Sequence, residues 1–324
     1  MRDSSSAVRE KPQRVTDLAR DVREGLARPQ KELDPKYFYD ERGSALFEEI
    51  TSLDEYYLTR TERSILIREI PRLIERVSPR SIVELGAGSA AKTRIILDAM
   101  ARTAGGVYVP VDVSEEFLER TAGSLRTEYP SLMITAAVSD FTSELRIPPL
   151  PHPTLTLFLG STIGNFEHSA ATRILRRIRR RMHGADRFLL GADLRKDVET
   201  IERAYNDAQG VTAEFNRNML LVLNRELDAS FDPMSFDHKA FYDRDRNRIE
   251  MHLVSRRAQT VSAPELGLVH LREGESIRTE LSYKYDRAEV ERLFDESGLE
   301  LEEWMTDENA YFALALARPA EPAT

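Results

Sequence analysis

Ser81-Ile82-Val83-Glu84-Leu85-Gly86-Ala87-Gly88 decides the fold. A short run of strand-forming residues ends in two glycines one residue apart, so a buried strand gives way to a tight turn. In open α/β sheets such a turn lies at the carboxyl end of the strand, where ligands bind. Working outward, Lys92–Ala101 reads as a helix, Val107–Val113 as a second strand and Glu115–Glu128 as a second helix. Leu132–Ala137, Thr154–Gly160 and Arg187–Asp193 read as further strands, with a helix at Ala170–Met182. This alternation predicts βαβ units and a mostly parallel sheet. The pattern then changes. Val198–Ala208 and Ala213–Leu227 look helical, and Arg248–Thr260 and Ser276–Tyr285 look like strands. Arg287–Ser297 is a helix closed by Gly298, and Leu299–Trp304 with Tyr311–Ala317 form a hairpin-like pair. The fold class is therefore α/β: a central core interrupted by an insertion near 196–282 and preceded by a helical segment.

A chain of 324 residues is long enough for two moderate domains, and its net charge of -9 argues against nucleic acid or anionic membrane as partners. It has no cysteine, which removes disulfides and thiol nucleophiles and suits a cytoplasmic enzyme. Met1–Val15 lacks the apolar core of a signal peptide, and no apolar run is long enough to span a bilayer. Arg318–Thr324 reads as a short disordered tail. The run Arg173–Arg181 carries its arginines around an apolar stripe of Ile174, Leu175 and Ile178, so it reads as a solvated helix face. The histidines show no metal-ligand spacing, and no metal is expected.

Three features fall at strand ends in the order a nucleoside ligand needs. Gly86 and Gly88 form the turn. Asp112 ends the second strand, placed to accept from ribose hydroxyls. Asp140-Phe141 follows the third, where a carboxylate suits an adenine amine and a ring suits the base. Taken singly, each has a plain structural reading, as turn, loop residue or helix cap; the conjunction carries the weight. The third position of the dinucleotide glycine motif is Ala91, followed by Lys92, and the chain has no Tyr-x-x-x-Lys pair. Both absences favour methyl transfer over nicotinamide-dependent redox chemistry, and there is no P-loop.

Tyr37–Asp40, Tyr56–Glu62 (YYLTRTE), Glu84–Gly88, Phe158–Phe166 (FLGSTIGNF) and Phe215–Asn218 (FNRN) together resemble one family, the histidine-specific N-alpha-methyltransferases of ergothioneine biosynthesis, EgtD. The resemblance runs from about Asp17 to Arg318. It implies a Rossmann-like class I methyltransferase core with a seven-stranded sheet, residues 62–195 plus 283–324, and a discontinuous α+β substrate domain, residues 1–61 plus 196–282. It also implies S-adenosylmethionine as co-substrate and L-histidine as substrate, trimethylated on its alpha-amine to hercynine by a monomer. By resemblance, Tyr56 and Tyr205 hold the substrate carboxylate and Asn165 positions the amine. Glu280 and Ser282 read the imidazole, with Tyr39 and Met251 lining the same pocket. Gly86, Gly88, Lys92, Asp112, Asp140, Phe141 and Gly160 contact S-adenosylmethionine.

The chemistry suits these residue types. Methyl transfer from a sulfonium is an in-line displacement that needs a neutral amine held in place, and positioning supplies much of the rate. Neutral holding groups suit a nitrogen that ends with a fixed positive charge. Glu280 and Ser282, two apart on a strand, share a face and offer a carboxylate and a hydroxyl to the two ring nitrogens. From pattern alone that pair reads as the solvated face of an edge strand, Tyr56 and Tyr205 as packing, Asn165 as a turn and Met251 as core filler. The resemblance assigns them to the substrate. The alternatives are a same-fold enzyme acting on another amino-acid amine, such as an indole-bearing one, and a non-catalytic S-adenosylmethionine-binding regulator.

Overall fold

The structure, a computed structural model, describes residues 13–321 except 89, 91, 104, 265 and 266. The expectations for residues 1–12, for Ala91 and for residues 322–324 lie outside the described residues. In chain order the elements are α1 (Gln13–Leu26), β1 (Lys31–Glu32), α2 (Glu41–Ser52), α3 (Tyr57–Val77), β2 (Ser81–Leu85), α4 (Thr93–Ala101), β3 (Gly106–Asp112), α5 (Glu115–Glu128), β4 (Leu132–Ile134), β5 (Ala137–Val138), β6 (Thr154–Phe158), α6 (His168–Arg179) and β7 (Arg187–Asp193). There follow α7 (Val198–Arg203), α8 (Val211–Leu227), β8 (Phe236–Asp243), β9 (Arg248–Ser255), β10 (Gln259–Ala263), β11 (Gly267–Leu271), β12 (Ser276–Tyr283), α9 (Arg287–Ser297), β13 (Leu299–Thr306) and β14 (Phe312–Pro319).

The chain divides into two compact units. One, the core, comprises residues 56–201, 243–249 and 281–324; the other comprises 1–55, 202–242 and 250–280. The core holds a sheet of order β13-β14-β7-β6-β2-β3-β4, with β5 also paired to β3. β2 pairs in parallel with β3 and β6, and β6 with β7, whereas β14 runs antiparallel to β7 and β13. β2 and β6 are buried at every residue, as continuous apolar strands covered on both faces should be. One face is packed by Ile65, Leu66 and Ile70 of α3, Ile96 and Leu97 of α4 and Leu125 of α5. The other is packed by Ile174, Leu175 and Ile178 of α6 and Val290, Leu293 and Phe294 of α9. α9 begins with a reciprocal capping box between Asp286 and Glu289 and stops at Gly298, which is left-handed.

Several expectations need correction. The strand expected over Leu132–Ala137 is two short strands on the same flank of β3: Leu132–Ile134 beside Gly106–Tyr108, and Ala137–Val138 beside Val111–Asp112. Arg318 and Pro319, expected in a tail, pair with Glu300 and Leu299 in the β13–β14 ladder. The arginine run is more than a solvated face: Arg176 donates to Glu296 O at 2.9 Å, Arg179 to Gly298 O at 2.8 Å and Arg181 to Ile147 O at 3.2 Å. These guanidinium groups tie carbonyls at the end of α9 and in the loop at Ile147 to α6 and the turn that follows it.

The second unit is built on a four-stranded sheet, β1-β12-β9-β8, with helices α1, α2 and α8 and a separate antiparallel hairpin, β10–β11. That hairpin splits the strand expected over Arg248–Thr260 at Ser255. The first boundary falls at 55/56 and not 61/62, because α3 is one helix from Tyr57 and its buried side chains pack in the core.

Candidate active site

The glycine turn of the core is open. Gly86 (φ 67°) and Gly88 (φ 50°) adopt left-handed backbone, and a Cβ on either would meet nothing within 4 Å. Asp112 ends β3 beside the turn. One carboxylate oxygen accepts from the backbone N–H of Val113 and Ser114 at 2.8 and 3.2 Å, and the other lies 3.5 Å from Gly88 N. Burial raises the pKa of Asp112, opposed by those N–H groups. An exposed backbone turn with a part-buried carboxylate at its rim fits the ribose side of S-adenosylmethionine, so Gly86, Gly88 and Asp112 can hold it.

A clamp beneath this turn is absent from the sequence reading. Glu84, the residue before Leu85-Gly86, is buried, and its carboxylate accepts from Thr93 Oγ1 at 2.6 and 2.8 Å and from Tyr108 Oη at 2.5 Å. Thr93 opens α4, so the bond closes the strand–turn–helix segment on itself. Burial pushes the pKa of Glu84 up to about 7, even though the Thr93 and Tyr108 hydroxyls and Lys92 pull it down.

Glu62, at the end of the YYLTRTE stretch, forms a second clamp. It is 1% exposed; one oxygen accepts from Gly160 N at 2.7 Å and the other from the Lys92 ammonium. Lys92 and Gly160, both expected at the cofactor, are thus joined to α3 through one carboxylate. Gly191 makes room for it: a Cβ there would lie 2.3 Å from Glu62 Oε1. Asp140 and Phe141 form a turn, not a helix cap. Asp140 accepts from Thr142 N at 2.8 Å, and the Phe141 ring meets Phe158 and Phe166 edge-on at 5.3 and 6.3 Å. Asn165 closes a 3₁₀ turn, Thr162–Asn165, and Tyr56 precedes the first residue of α3.

At the carboxyl end of β7 lies a buried charged cluster. Asp193 accepts from Tyr57 Oη at 2.8 Å, from Lys196 at 2.5 Å and from Lys284 at 2.7 Å, and Lys284 also donates to Ser282 Oγ at 2.8 Å. Burial alone would raise the pKa of Asp193, but the ammonium groups of Lys284 and Lys196 outweigh it and hold the carboxyl below its usual range. Burial in turn brings Lys196 down to about 8 against the pull of Asp193.

The second unit carries Tyr39, Tyr205, Met251 and Glu280. Tyr39 is 40% exposed and leans on Phe47 and Phe215 at ring distances of 5.6 and 5.8 Å; Phe215 stacks on Phe38 at 4.5 Å. Asp40 caps α2 through Gly43 N at 2.7 Å and accepts from Asn218 at 2.8 Å. Tyr205 and Met251 are buried, and Glu280 is half-buried on β12. Asn216 bonds to His238, His252 O and Thr279, and His238 to Tyr205 O. Tyr56, Asn165 and Ser282 belong to the core, as do Gly86, Gly88, Lys92, Asp112, Asp140, Phe141 and Gly160. Among the described residues no group of three or more His, Asp or Glu side chains is placed to hold a metal ion, and no helix is long and apolar enough to cross a membrane. Sequence reasoning missed Glu84 and Asp193 as holding groups because a carboxylate in an apolar strand carries no outward signal of its partners. Glu84, Glu62 and Asn216 fall inside the quoted Glu84–Gly88, YYLTRTE and FNRN stretches, whereas Asp193 lies outside all of them.

The parallel sheet, the open glycine turn and the carboxylate at the end of β3 define a class I S-adenosylmethionine-dependent methyltransferase. A crystal structure of such a methyltransferase from Clostridium acetobutylicum shares this fold, with a TM-score of 0.50 at 10% identity, over 85% of this chain and 98% of that one. Residues 18–319 match the family described as histidine-specific, S-adenosylmethionine-dependent methyltransferase, and the chain belongs to that family. It is 43% identical to the histidine N-alpha-methyltransferase of Mycolicibacterium smegmatis and 42% identical to that of Mycobacterium tuberculosis, over 93% of this chain and 94% of each relative.

Proposed function

We propose that the protein transfers three methyl groups from S-adenosylmethionine to the alpha-amine of L-histidine, giving hercynine, the first step of ergothioneine biosynthesis. The observation that carries this reading is the 43% identity to a histidine N-alpha-methyltransferase over nearly the full length of both chains. S-adenosylmethionine supplies the electrophilic methyl group. At each transfer a nitrogen–carbon bond forms as the carbon–sulfur bond breaks, and the thioether leaves with the electron pair. The amine must arrive neutral, so one proton is lost to solvent per methyl added, and the last product keeps a fixed positive charge.

The residues divide the work. Tyr56 and Tyr205 hold the substrate carboxylate through neutral hydroxyls, and Asn165 orients the amine without adding a charge that would oppose the cationic product. Glu280 accepts the imidazole N–H, Ser282 meets the other nitrogen, and Tyr39 and Met251 shape the pocket. Gly86, Gly88, Lys92, Asp112, Asp140, Phe141 and Gly160 serve the cofactor. The unit made of 1–55, 202–242 and 250–280 serves as the substrate domain. The enzyme acts on a free amino acid as a cytoplasmic monomer; its acidic, cysteine-free composition suits that compartment and the absence of nucleic acid or membrane partners. Incubation of the purified protein with histidine and excess S-adenosylmethionine, followed by mass spectrometry, tests the reading. Histidine should gain three methyl groups on its alpha-nitrogen; a ring-methylated product, or tryptophan methylated in preference, would overturn it.

A further inference from the structure

The FNRN stretch has no role in the assignments above, yet it sits at the centre of a buried polar network. Asn216 on α8 is completely buried. Its amide orientation is set by its neighbours: His252 O, which can only accept, lies 3.2 Å from Nδ2, and Thr279 Oγ1 donates to Oδ1 at 2.7 Å. Nδ2 also reaches His238 Nδ1 at 2.9 Å. An amide NH₂ only donates, so His238 Nδ1 accepts and the ring proton sits on Nε2. That nitrogen donates to the backbone carbonyl of Tyr205 at 2.8 Å. The ring is therefore a neutral imidazole of defined tautomer. Burial favours the same state, lowering the pKa of His238 with help from Arg217 and against the pull of the Tyr205 carbonyl and Asp207. On its other side the network reaches β12 through Thr279, which immediately precedes Glu280, and β9 through His252 O, one residue after Met251.

We infer that Asn216 and His238 are positioning residues for amino-acid recognition: one amide and one imidazole set the backbone that carries Tyr205, Met251 and Glu280, without themselves touching substrate. This rests on the assignment of those three residues to the substrate pocket. The network joins α8, β8, β9, β12 and the turn after α7, elements distant in sequence, and it fixes the donor and acceptor roles of the Asn216 amide and the His238 ring. A shift at any one of them is passed to the next, because the alternative is a buried polar group without a partner.

The test uses four variants of the full chain: His238→Leu, His238→Gln, Tyr205→Phe and the double variant His238→Leu/Tyr205→Phe. Glutamine offers one donor and one acceptor at its terminal amide, as the neutral ring does; leucine offers neither. KM for histidine, kcat, the Kd of S-adenosylmethionine and the melting temperature are measured for each. His238→Leu should raise KM for histidine about fivefold or more, the low end of what an unpaired buried polar group costs. The Kd of S-adenosylmethionine should stay unchanged, because its proposed contacts all lie in the other unit. His238→Gln should recover most of the lost KM, and the double variant should be less impaired than the product of the single effects. A Tyr205→Phe enzyme with wild-type KM would show that the assignment of Tyr205 has failed. A raised KM in Tyr205→Phe together with a wild-type KM in His238→Leu, or equal impairment by Leu and Gln, would overturn the positioning role. If His238→Leu does not fold, His238→Gln decides alone: near-wild-type KM supports the inference, and a rise matching Tyr205→Phe contradicts it.

Discussion

The two units hold their functional groups by different means. The core uses buried carboxyl groups: Glu84 under the glycine turn, Glu62 between Lys92 and Gly160, and, at the end of β7, Asp193 between two lysines and a tyrosine. The second unit places Tyr205, Met251 and Glu280 around a neutral amide–imidazole–hydroxyl network. The two structures of the site suit different demands. A cofactor turn needs its backbone N–H groups fixed in one arrangement, and a carboxylate can bind several donors at once. A substrate reader needs side chains such as Glu280 held at fixed positions, and the Asn216 network does this with neutral groups, although the same strands also carry Glu250 against His252 and Arg278. The same contrast says how each half should fail.

Asp193→Ala breaks the core side most severely. It leaves Lys196 and Lys284, side chains 4% and 0% exposed, without their shared carboxylate. Loss of one partner of a buried ion pair costs about 3–5 kcal/mol, so chemical denaturation should show a large drop in stability. A variant as stable as the wild type would mean that Tyr57 and the Leu194 carbonyl suffice for Lys196 and the Ser282 hydroxyl for Lys284.

Glu84→Gln tests the clamp through pH. The pKa of Glu84 in the fold, about 7, lies above its ordinary value of 4.5, so folding favours the protonated acid. That contribution is complete below about pH 4.5 and is lost as pH rises through 7, up to roughly 3 kcal/mol by linkage. Glutamine stays neutral throughout. The stability of Glu84→Gln relative to the wild type should therefore rise between pH 5 and pH 8, measured by urea titration at each pH. A pH-independent difference would show that the carboxylate is ionised throughout and held by its hydroxyl donors.

Much of the core was legible because its strands obey simple rules. Helices over Glu115–Glu128 and Arg287–Ser297 and the strand Arg187–Asp193 appear at the expected residues, since amphipathic spacing, a capping box and an apolar run each act locally. β8 was not legible. Its sequence, FDHKAFYD, mixes charged and aromatic residues, and only part of it is buried. The β10–β11 hairpin has exposed residues along both strands and gives little hydrophobic periodicity. In the candidate site, the glycine turn and Asp112 could be read from position alone. The roles of Tyr56, Tyr205, Asn165, Glu280 and Ser282 came only from resemblance, since pattern places them as packing, turn or surface residues. Buried holding groups such as Glu62 and Asn216 depend on partners far away in sequence, which no local rule identifies.

Glu280→Ala carries the smallest energy of these changes and tests the central claim most directly. A charge-assisted hydrogen bond to the imidazole contributes about 1.5–3 kcal/mol, roughly 10- to 150-fold in an equilibrium or specificity constant. Turnover of histidine against tryptophan should be measured for both enzymes, with calorimetric titration of S-adenosylmethionine alongside. Glu280→Ala should lose histidine kcat/KM by that factor, narrow the preference for histidine over tryptophan, and bind S-adenosylmethionine as the wild type does. Wild-type histidine turnover with unchanged selectivity would contradict the account, placing Glu280 on a solvated strand face and removing the physical basis for histidine recognition.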